Sequence, residues 1–477
     1  MILKVINHPF EFDMKNLCTI FFPYEKIKSD GEEDIVIITE RADDTLIVDA
    51  RVYDKTLKKT HTTSSNEDVA TAMSVLLYNV LSKLLGYKPA WGILFGVRPA
   101  KLMHRFAEQY GEQGARDYFI NNFLASPQKT DLAIEVMKSE NKIISLSKEN
   151  SFSLYVSIPF CPTRCSYCSF VSHSIERTKR LIEPYVDLLC RELVETGKIA
   201  SALNLRLETI YFGGGTPTTL DAPLLTKLFD TIENHFDLSN LREYTVEAGR
   251  PDTVTAERLT ALKKANVSRI SINPQTFNDE VLEEIGRKHT AKQTIDAFNL
   301  ARKYGFDNIN MDFIAGLPNE NLSSFQNSIN TAINLGAESI TVHTLALKSA
   351  AYMVTRERTF DLTDRLTAAD MVDYSNNALK GSEYYPYYMY RQSKSLANLE
   401  NVGWCKQGKD CLYNVYMMDE THSVFAVGAG AVTRLKDHKS GKIERIYNYK
   451  YPYEYIDNFD EIISRKKGIT DFYNEYK

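Results

Sequence analysis

The chain is poor in the features that mark the specialised protein classes. Cysteine is sparse and odd in number, seven in 477 residues, which does not suit a disulfide framework of the secreted kind. Nowhere do about 18 apolar residues run without a charge, so no membrane span is expected. Lysine and arginine number 57 against 62 acidic residues, a formal charge of -5. No basic surplus is therefore present to hold a nucleic acid. Internal repeats and low-complexity tracts are missing as well. Residues 1–17 meet Asn7, His8 and Glu11 before any long apolar core forms, which is unlike a secretory leader. What is there is ordinary: 43% hydrophobic and 25% charged residues, a globular composition with length for two or three domains. A cytoplasmic protein is the expectation.

Three segments emerge from the patterning. Residues 34–38 (DIVII) and 45–52 (TLIVDARV) read as strands joined by a short polar turn. Val69, Met73, Leu76, Leu77 and Val80 keep helical spacing across 67–85, and Gly86 stands where a C-cap glycine would. A second helical stretch runs from Pro99 to Met137 with a break near Pro127. Largely polar residues 139–150 read as a linker, which closes an N-terminal α+β domain at 1–150.

From Ser153 strands alternate with helices. Strand-like runs at 154–158, 209–212, 244–248, 269–272, 309–314 and 340–345 are separated by helical segments at 177–198, 223–236, 256–265, 291–304 and 323–335. Strands joined in this way imply a parallel sheet, either open and doubly wound or curled into a partial barrel. After residue 346 the alternation stops. A tyrosine-rich run at 384–390 (YYPYYMY) and a small-residue run at 428–432 (GAGAV) follow. The division expected is 1–150, 151–345 and 346–477, the last a mixed extension packed against the sheet.

Three of the seven cysteines lie within eight residues, Cys161-Pro-Thr-Arg-Cys165-Ser-Tyr-Cys168, directly after the first strand of the alternating series. Thiolates this close can converge on one metal centre, and three protein ligands leave a position open for chemistry. Two readings stand side by side: an iron–sulfur cluster with one differentiated iron, or a structural zinc with a fourth ligand such as His173. Cys190 falls on an apolar helical stripe with Val186, Leu189 and Leu193 and reads as core. Cys405 and Cys411 read as two unrelated thiols, with a metal or redox pair as the alternative.

CxxxCxxC with an aromatic residue before the third cysteine resembles the radical S-adenosylmethionine enzymes. The resemblance implies a [4Fe–4S] cluster on Cys161, Cys165 and Cys168, S-adenosyl-L-methionine chelating the fourth iron, and a partial (β/α)6 barrel in an α/β fold. Gly213-Gly214-Gly215-Thr216-Pro217, after the second strand, is similar to that family's glycine motif in the form found in coproporphyrinogen oxidases. Glycines let backbone amides approach a ligand closely.

Further strand ends carry Glu247 (VEAGRPD), Gln275 (NPQTF) and Asp312 (NMDFIAGLP), with Arg287 between them. A charged acid within an apolar strand needs a partner, and one polar group per strand end looks like the wall of a cofactor pocket. Resemblance to oxygen-independent coproporphyrinogen III oxidases implies cofactor contacts at Tyr155, Tyr167, Gly214, Gly215, Thr216, Glu247, Gln275, Arg287 and Asp312, and more loosely at Ala346 and Val432. The phrases EAGRPD, NPQTF and MDFIAGLP, with the extra N-terminal domain, are similar to the HemZ-type branch. One departure is that Phe170 stands where those oxidases carry a fourth cysteine, as it does in related haem chaperones.

The activity implied is oxidative decarboxylation of coproporphyrinogen III, a tetrapyrrole. An electron donor such as a flavodoxin or ferredoxin would serve it. A haem chaperone and a radical methyltransferase are the alternatives. Arg250, Arg391 and Arg434 are the candidate cations for the substrate's carboxylates.

Overall fold

Every strand and helix expected of the alternating series is present in a computed structural model whose described residues are 1–168, 173–346 and 360–476. Phe170, the departure noted above, lies outside them. The chain forms two units.

The first unit comprises Met1–Met137, Thr359–Ala369 and Met389–Glu400. Its sheet has the order β1 (Ile2–Ile6), β2 (Ile35–Ala42), β3 (Thr45–Val52), β4 (Lys55–Thr62). β1 runs parallel to β2 and the rest are antiparallel. Alternation in β2 and β3 buries Ile35, Ile37, Leu46, Val48 and Ala50, which join Leu17 and Phe21 of α1 (Glu11–Phe21) and Met73 and Leu77 of α2 (Val69–Leu85) in one core. Gly86 ends α2 in the left-handed conformation, as its position suggested.

β1, α1 and β4 were not expected. β4 reads KTLKKTHT and lies almost wholly exposed, because lysines on an outer strand discourage pairing with another chain. The following helical stretch breaks next to Pro127 as expected, between α3 (Pro99–Asn121) and α4 (Pro127–Ile144), and α3 also kinks at Gly111. Because α4 runs on to Ile144, the expected linker at 139–150 is helical for its first half.

The expected boundary near residue 150 is also amended. Within this unit the Lys129 ammonium lies 2.7 Å from Glu400 Oε1, and Trp91 Nε1 donates to Glu400 Oε2 at 2.8 Å. Both ends of the ion pair are buried. Residues 360–369 and 389–400 therefore complete the N-terminal unit, while residues 370–388 and those after 400 belong to the second. Arg391 belongs here too, donating to the Leu94 carbonyl at 3.0 Å.

The second unit comprises Lys138–Arg358, Asp370–Tyr388 and Asn401–Lys477. β5 (Ser151–Ile158), β8 (Arg206–Gly214), β9 (Glu243–Glu247), β10 (Arg269–Ser271), β11 (Ile309–Ala315) and β12 (Ser339–Thr344) lie side by side in chain order, each parallel to the next. After β5, a two-residue pair joins β6 (Phe160–Cys161) to β7 (His173–Ser174). A doubly wound sheet reverses its strand order at a switch point. This one does not, so every right-handed crossover returns over the same face.

Register assigns the two faces. Leu154, Val156, Ile210, Phe212, Val246, Ile270, Met311 and Ile340 share one face and are buried. Tyr155, Tyr211, Thr245, Glu247, Ser271, Asn310 and Asp312 share the other. One apolar face beneath helices and one polar face turned inward make a partial barrel, since a doubly wound sheet would be apolar on both.

The C-terminal third enters this sheet directly. β15 (Ser423–Val427) pairs parallel with β5, a seventh parallel strand, where a segment packed against the sheet was expected. β14 (Glu400–Cys405) lies antiparallel to β12, and β16 (Val432–Lys436) antiparallel to β15.

One buried carboxylate fastens that addition. Glu192, on the helix Ile175–Ala202, accepts from Gly428 N at 2.8 Å, Asn448 Nδ2 at 2.8 Å and Tyr455 OH at 2.6 Å. Lys466 Nζ stands 2.8 Å away and is itself buried. Removing one member of a buried pair leaves an uncompensated charge. Lys466→Met should therefore destabilise the protein by about 3 kcal/mol, read as a lower urea midpoint at unchanged slope. A loss below about 1 kcal/mol would show that the three remaining donors suffice.

Candidate active site

The polar face of the sheet leads to the strand ends, where the cysteine loop begins. Its two ends are closed by the β6–β7 pair, with Phe160 opposite His173 and Cys161 opposite Ser174. Its middle is pinned elsewhere: Ser166 N donates to Ile285 O at 3.0 Å, and Thr163 Oγ1 to Gly286 O at 3.2 Å. Cys165 is buried, while Cys161 and Cys168 are half-buried. Cys161 Sγ lies 3.5 Å from Thr216 Oγ1.

Among the described residues, no three His, Cys, Asp or Glu groups converge as for a single ion. A cubane asks for something different, because each thiolate takes its own iron corner. His173, the candidate fourth zinc ligand, packs its ring edge-on against Tyr451 at 5.9 Å. Cys405 and Cys411 are both free and buried, and Cys411 donates to Glu243 at 3.3 Å.

The glycine turn is shaped by this loop. Gly215 N and Thr216 N donate to Ile158 O and Phe160 O, both at 2.8 Å. A Cβ on Gly215 would stand 2.5 Å from Phe160 O, so no larger residue fits there. Gly214 has φ +104, in the region that favours glycine.

Along the polar face, Tyr211 OH donates to Glu247 Oε1 at 2.6 Å. Tyr211 also stacks on Tyr413 at 4.5 Å and on Tyr155 at 6.2 Å. Burial pushes the Glu247 carboxyl up to about 7; the Tyr211 hydrogen bond opposes this and nearby Asp312 adds to it. Asp312 is also raised by burial, but His343, 3.8 Å away, and Asn310 Nδ2, at 2.7 Å, leave it below its ordinary value. The two acids thus face one region with their carboxyls shifted in opposite directions.

Gln275 has φ +69, held by bonds from its own N–H to Asp312 O at 2.9 Å and from Ile314 N to its carbonyl at 3.1 Å. Arg287 donates to Asn273 O at 2.5 Å and Tyr167 OH at 3.3 Å. Ala346 lies just beyond β12 and Val432 opens β16, both half-buried. Gly428–Ala431, the turn before Val432, meets β5 where Ser157 Oγ donates to Ala429 O at 2.8 Å.

Of the candidate substrate cations, Arg434 donates to Met417 O at 3.0 Å and faces Glu420 at 3.7 Å. Arg391 lies in the other unit. Arg250 sits against the cysteine loop, its Nη1 at 3.0 Å from Thr163 Oγ1 and 3.8 Å from Cys165 Sγ. Tyr211, Tyr413, Arg269, His343 and His289 were missed as site neighbours. Strand alternation could have found Tyr211, Arg269 and His343; no local signal marks Tyr413 or His289.

Comparison with known proteins accords with this geometry. The Radical SAM superfamily model matches residues 155–332. The chain is 34% identical over 470 residues to the oxygen-independent coproporphyrinogen-III oxidase-like protein HemZ of Bacillus subtilis, covering 95% of this chain and 94% of that one. It belongs to that radical SAM family. Members use a [4Fe–4S] cluster and S-adenosyl-L-methionine. The haem chaperone HemW of Bacillus subtilis is 35% identical over 283 residues, 58% of this chain and 70% of its own. The solved Escherichia coli coproporphyrinogen III oxidase HemN, described as a radical SAM enzyme, shares the fold at TM-score 0.53 and 21% identity, over 67% of this chain and 71% of its own. No helix among the described residues is long and apolar enough to cross a membrane.

The residues present fit those two groups. Gln275 Oε1, Asn273 Oδ1, Arg287 Nε and Arg250 Nη2 are buried without a hydrogen-bond partner, and a polar ligand would satisfy them.

Glu247 also yields a stability test. Its carboxyl titrates near 4.5 in the unfolded chain and near 7 when folded. Between those values the folded state binds more protons, so stability falls as pH rises across the window and the loss is complete above it. From pH 5 to 8 the ligand-free wild type should lose roughly 2 kcal/mol more than Glu247→Gln. Parallel stability–pH curves for the two proteins would show that Glu247 is ionised throughout.

Proposed function

We propose that the protein carries out oxidative decarboxylation of coproporphyrinogen III to protoporphyrinogen IX, as a cytoplasmic enzyme of porphyrin synthesis. The observation that carries this reading is the extent of the match. The HemZ relative aligns along 95% of the chain, so its likeness includes the N-terminal unit, whereas the HemW relative aligns along 58%.

Cys161, Cys165 and Cys168 would hold the cluster, with Cys165 nearest the cations. Gly214, Gly215 and Thr216 would let the cofactor's methionyl end approach the backbone closely. Tyr155 and Tyr167 would bound the pocket, Ala346 and Val432 its rim. Glu247 and Asp312 would accept hydrogen bonds from amine or hydroxyl groups, while Gln275 and Arg287 would fill positions where their buried polar atoms now lack partners. When bound, the two groups would supply the radical chemistry that removes a β-hydrogen from a substrate propionate. Loss of carbon dioxide and of one electron to an acceptor would then leave a vinyl group. The protein's part is to position both molecules and exclude water. A flavodoxin or ferredoxin would supply the reducing electron.

A haem chaperone is the second reading, favoured by the 35% identity to HemW over 283 residues. Anaerobic turnover of coproporphyrinogen with mass analysis of the porphyrin separates the two. The oxidase reading expects stepwise loss of two carboxyl groups, and stoichiometric haem binding with no such loss favours the chaperone.

The site assignment has its own test. Anaerobically reconstituted protein should hold about four irons and four sulfides. Cys161→Ala, Cys165→Ala or Cys168→Ala should abolish that, and Cys190→Ala should not. Tightly bound zinc without sulfide would sink the assignment. Glu247→Ala and Asp312→Ala should weaken S-adenosylmethionine binding at least tenfold with the cluster intact, a loss of about 1.4 kcal/mol. Full cofactor affinity with lowered thermal stability would leave the two acids a structural role.

A further inference from the structure

Arg250 occupies the turn that follows β9 and is 3% exposed. Burying a guanidinium costs several kcal/mol unless fixed partners compensate. Its partners account for only part of its donors. Nε donates to Asp252 at 3.2 Å, and Nη1 reaches both Thr163 Oγ1 at 3.0 Å and Cys165 Sγ at 3.8 Å. Nη2 is buried and has none.

Cys165 is itself 8% exposed, so solvent competes weakly for its sulfur. Arg287 is a second buried cation close to Cys165, itself donating to Asn273 O and Tyr167 OH, and the neighbouring imidazole adds no third. His289, 3% exposed, has both ring nitrogens without hydrogen-bond partners, and burial, with Arg287 and Arg250 close by, lowers it to about 3. It stays neutral. A guanidinium sealed in this position cannot serve as a solvated surface charge, and its geometry is aimed at the cysteine loop.

We propose that Arg250 is a positioning residue for the iron–sulfur cluster, holding the Cys165 thiolate by a charge-assisted N–H···S hydrogen bond and stabilising the cluster's reduced state. The proposal rests on the assignment of Cys161, Cys165 and Cys168 as cluster ligands. Reduction adds an electron to the cluster, and a fixed positive charge beside one of its sulfurs favours the more negative state. Cluster potentials respond to hydrogen bonds on the sulfurs and to local charge. Removing Arg250 should therefore make the cluster harder to reduce.

The test is a redox titration of the full-length reconstituted protein with dithionite, followed by electron paramagnetic resonance and paired with iron and sulfide counts. Arg250→Gln keeps a donor and loses the charge. It should load the same iron and sulfide, and its reduction equilibrium should fall about tenfold, which is 59 mV for one electron. Arg250→Lys keeps the charge without the planar fork and should fall by less, in the same direction. An unchanged potential in a fully loaded Arg250→Gln overturns the proposal, as does lowered thermal stability or loading with the potential unmoved. Should Arg250→Gln fail to fold, Arg250→Lys decides, and an unchanged potential there overturns it equally. A wild-type protein without four irons and four sulfides overturns the cysteine assignment, and this inference with it.

Discussion

Buried carboxylates that cannot be left unpaired hold the second unit together. Glu192, Glu208 and Glu243 all lie out of solvent, where an isolated charge would cost several kcal/mol. Each finds partners in the C-terminal third. Glu192 draws in Gly428, Asn448, Tyr455 and Lys466. Glu208 accepts from Tyr416 OH at 3.3 Å as well as from Ser151 Oγ at 2.6 Å. Glu243 accepts from Leu412 N at 2.5 Å and Tyr413 N at 3.4 Å, at the start of the helix Leu412–Asp419, where a carboxylate also suits the helix dipole. That last contact sets Tyr413 against Tyr211 and so connects the scaffold to the site. The same rule acts in the first unit, where Lys129 and Trp91 satisfy Glu400.

These pairings explain what local patterns could and could not reveal of the fold. Helices such as Ala291–Lys303 and strands such as Ile309–Ala315 announce themselves by periodicity and by capping residues, here a full capping box at Thr290 and Gln293. A bond between residues 129 and 400 leaves no trace in either neighbourhood. The domain boundary was therefore drawn where the chain turns polar, although the unit is completed by residues 271 positions further along. The choice between an open sheet and a partial barrel was left open by the strand pattern, although the strict alternation of Glu243-Tyr-Thr-Val-Glu247 and Ser339-Ile-Thr-Val-His343 carried a signal for the barrel. Strict alternation means one face is not packed beneath helices.

The site divides in the same way. Cysteine spacing and the glycine run are local in sequence, so the loop and its neighbouring turn could be read directly. The steric reason for Gly215 could not, because the atom it must avoid, Phe160 O, lies on the preceding crossover. Arg250 was a candidate for substrate carboxylates on charge alone. Only its burial and its approach to Cys165 redirect it. Tyr413 belongs to no motif, and it reaches the site because Glu243 fixes the helix that carries it.

Taken together, the charges of the site are sorted by position. Two buried cations, Arg250 and Arg287, border the cysteine loop through Cys165 and Tyr167. The acids Glu247 and Asp312 stand on strands of the polar face, and a buried Arg269 on that face lowers both. A ligand negative at one end and rich in donors at the other would meet complementary partners along its length, whereas a reversed ligand would meet like charges, which cost several kcal/mol in a poorly solvated pocket. Orientation would then be settled by electrostatics before any contact with the substrate is made. The glycine turn, whose Gly215 has no room for a larger residue, is the place where a ligand could approach the backbone most closely.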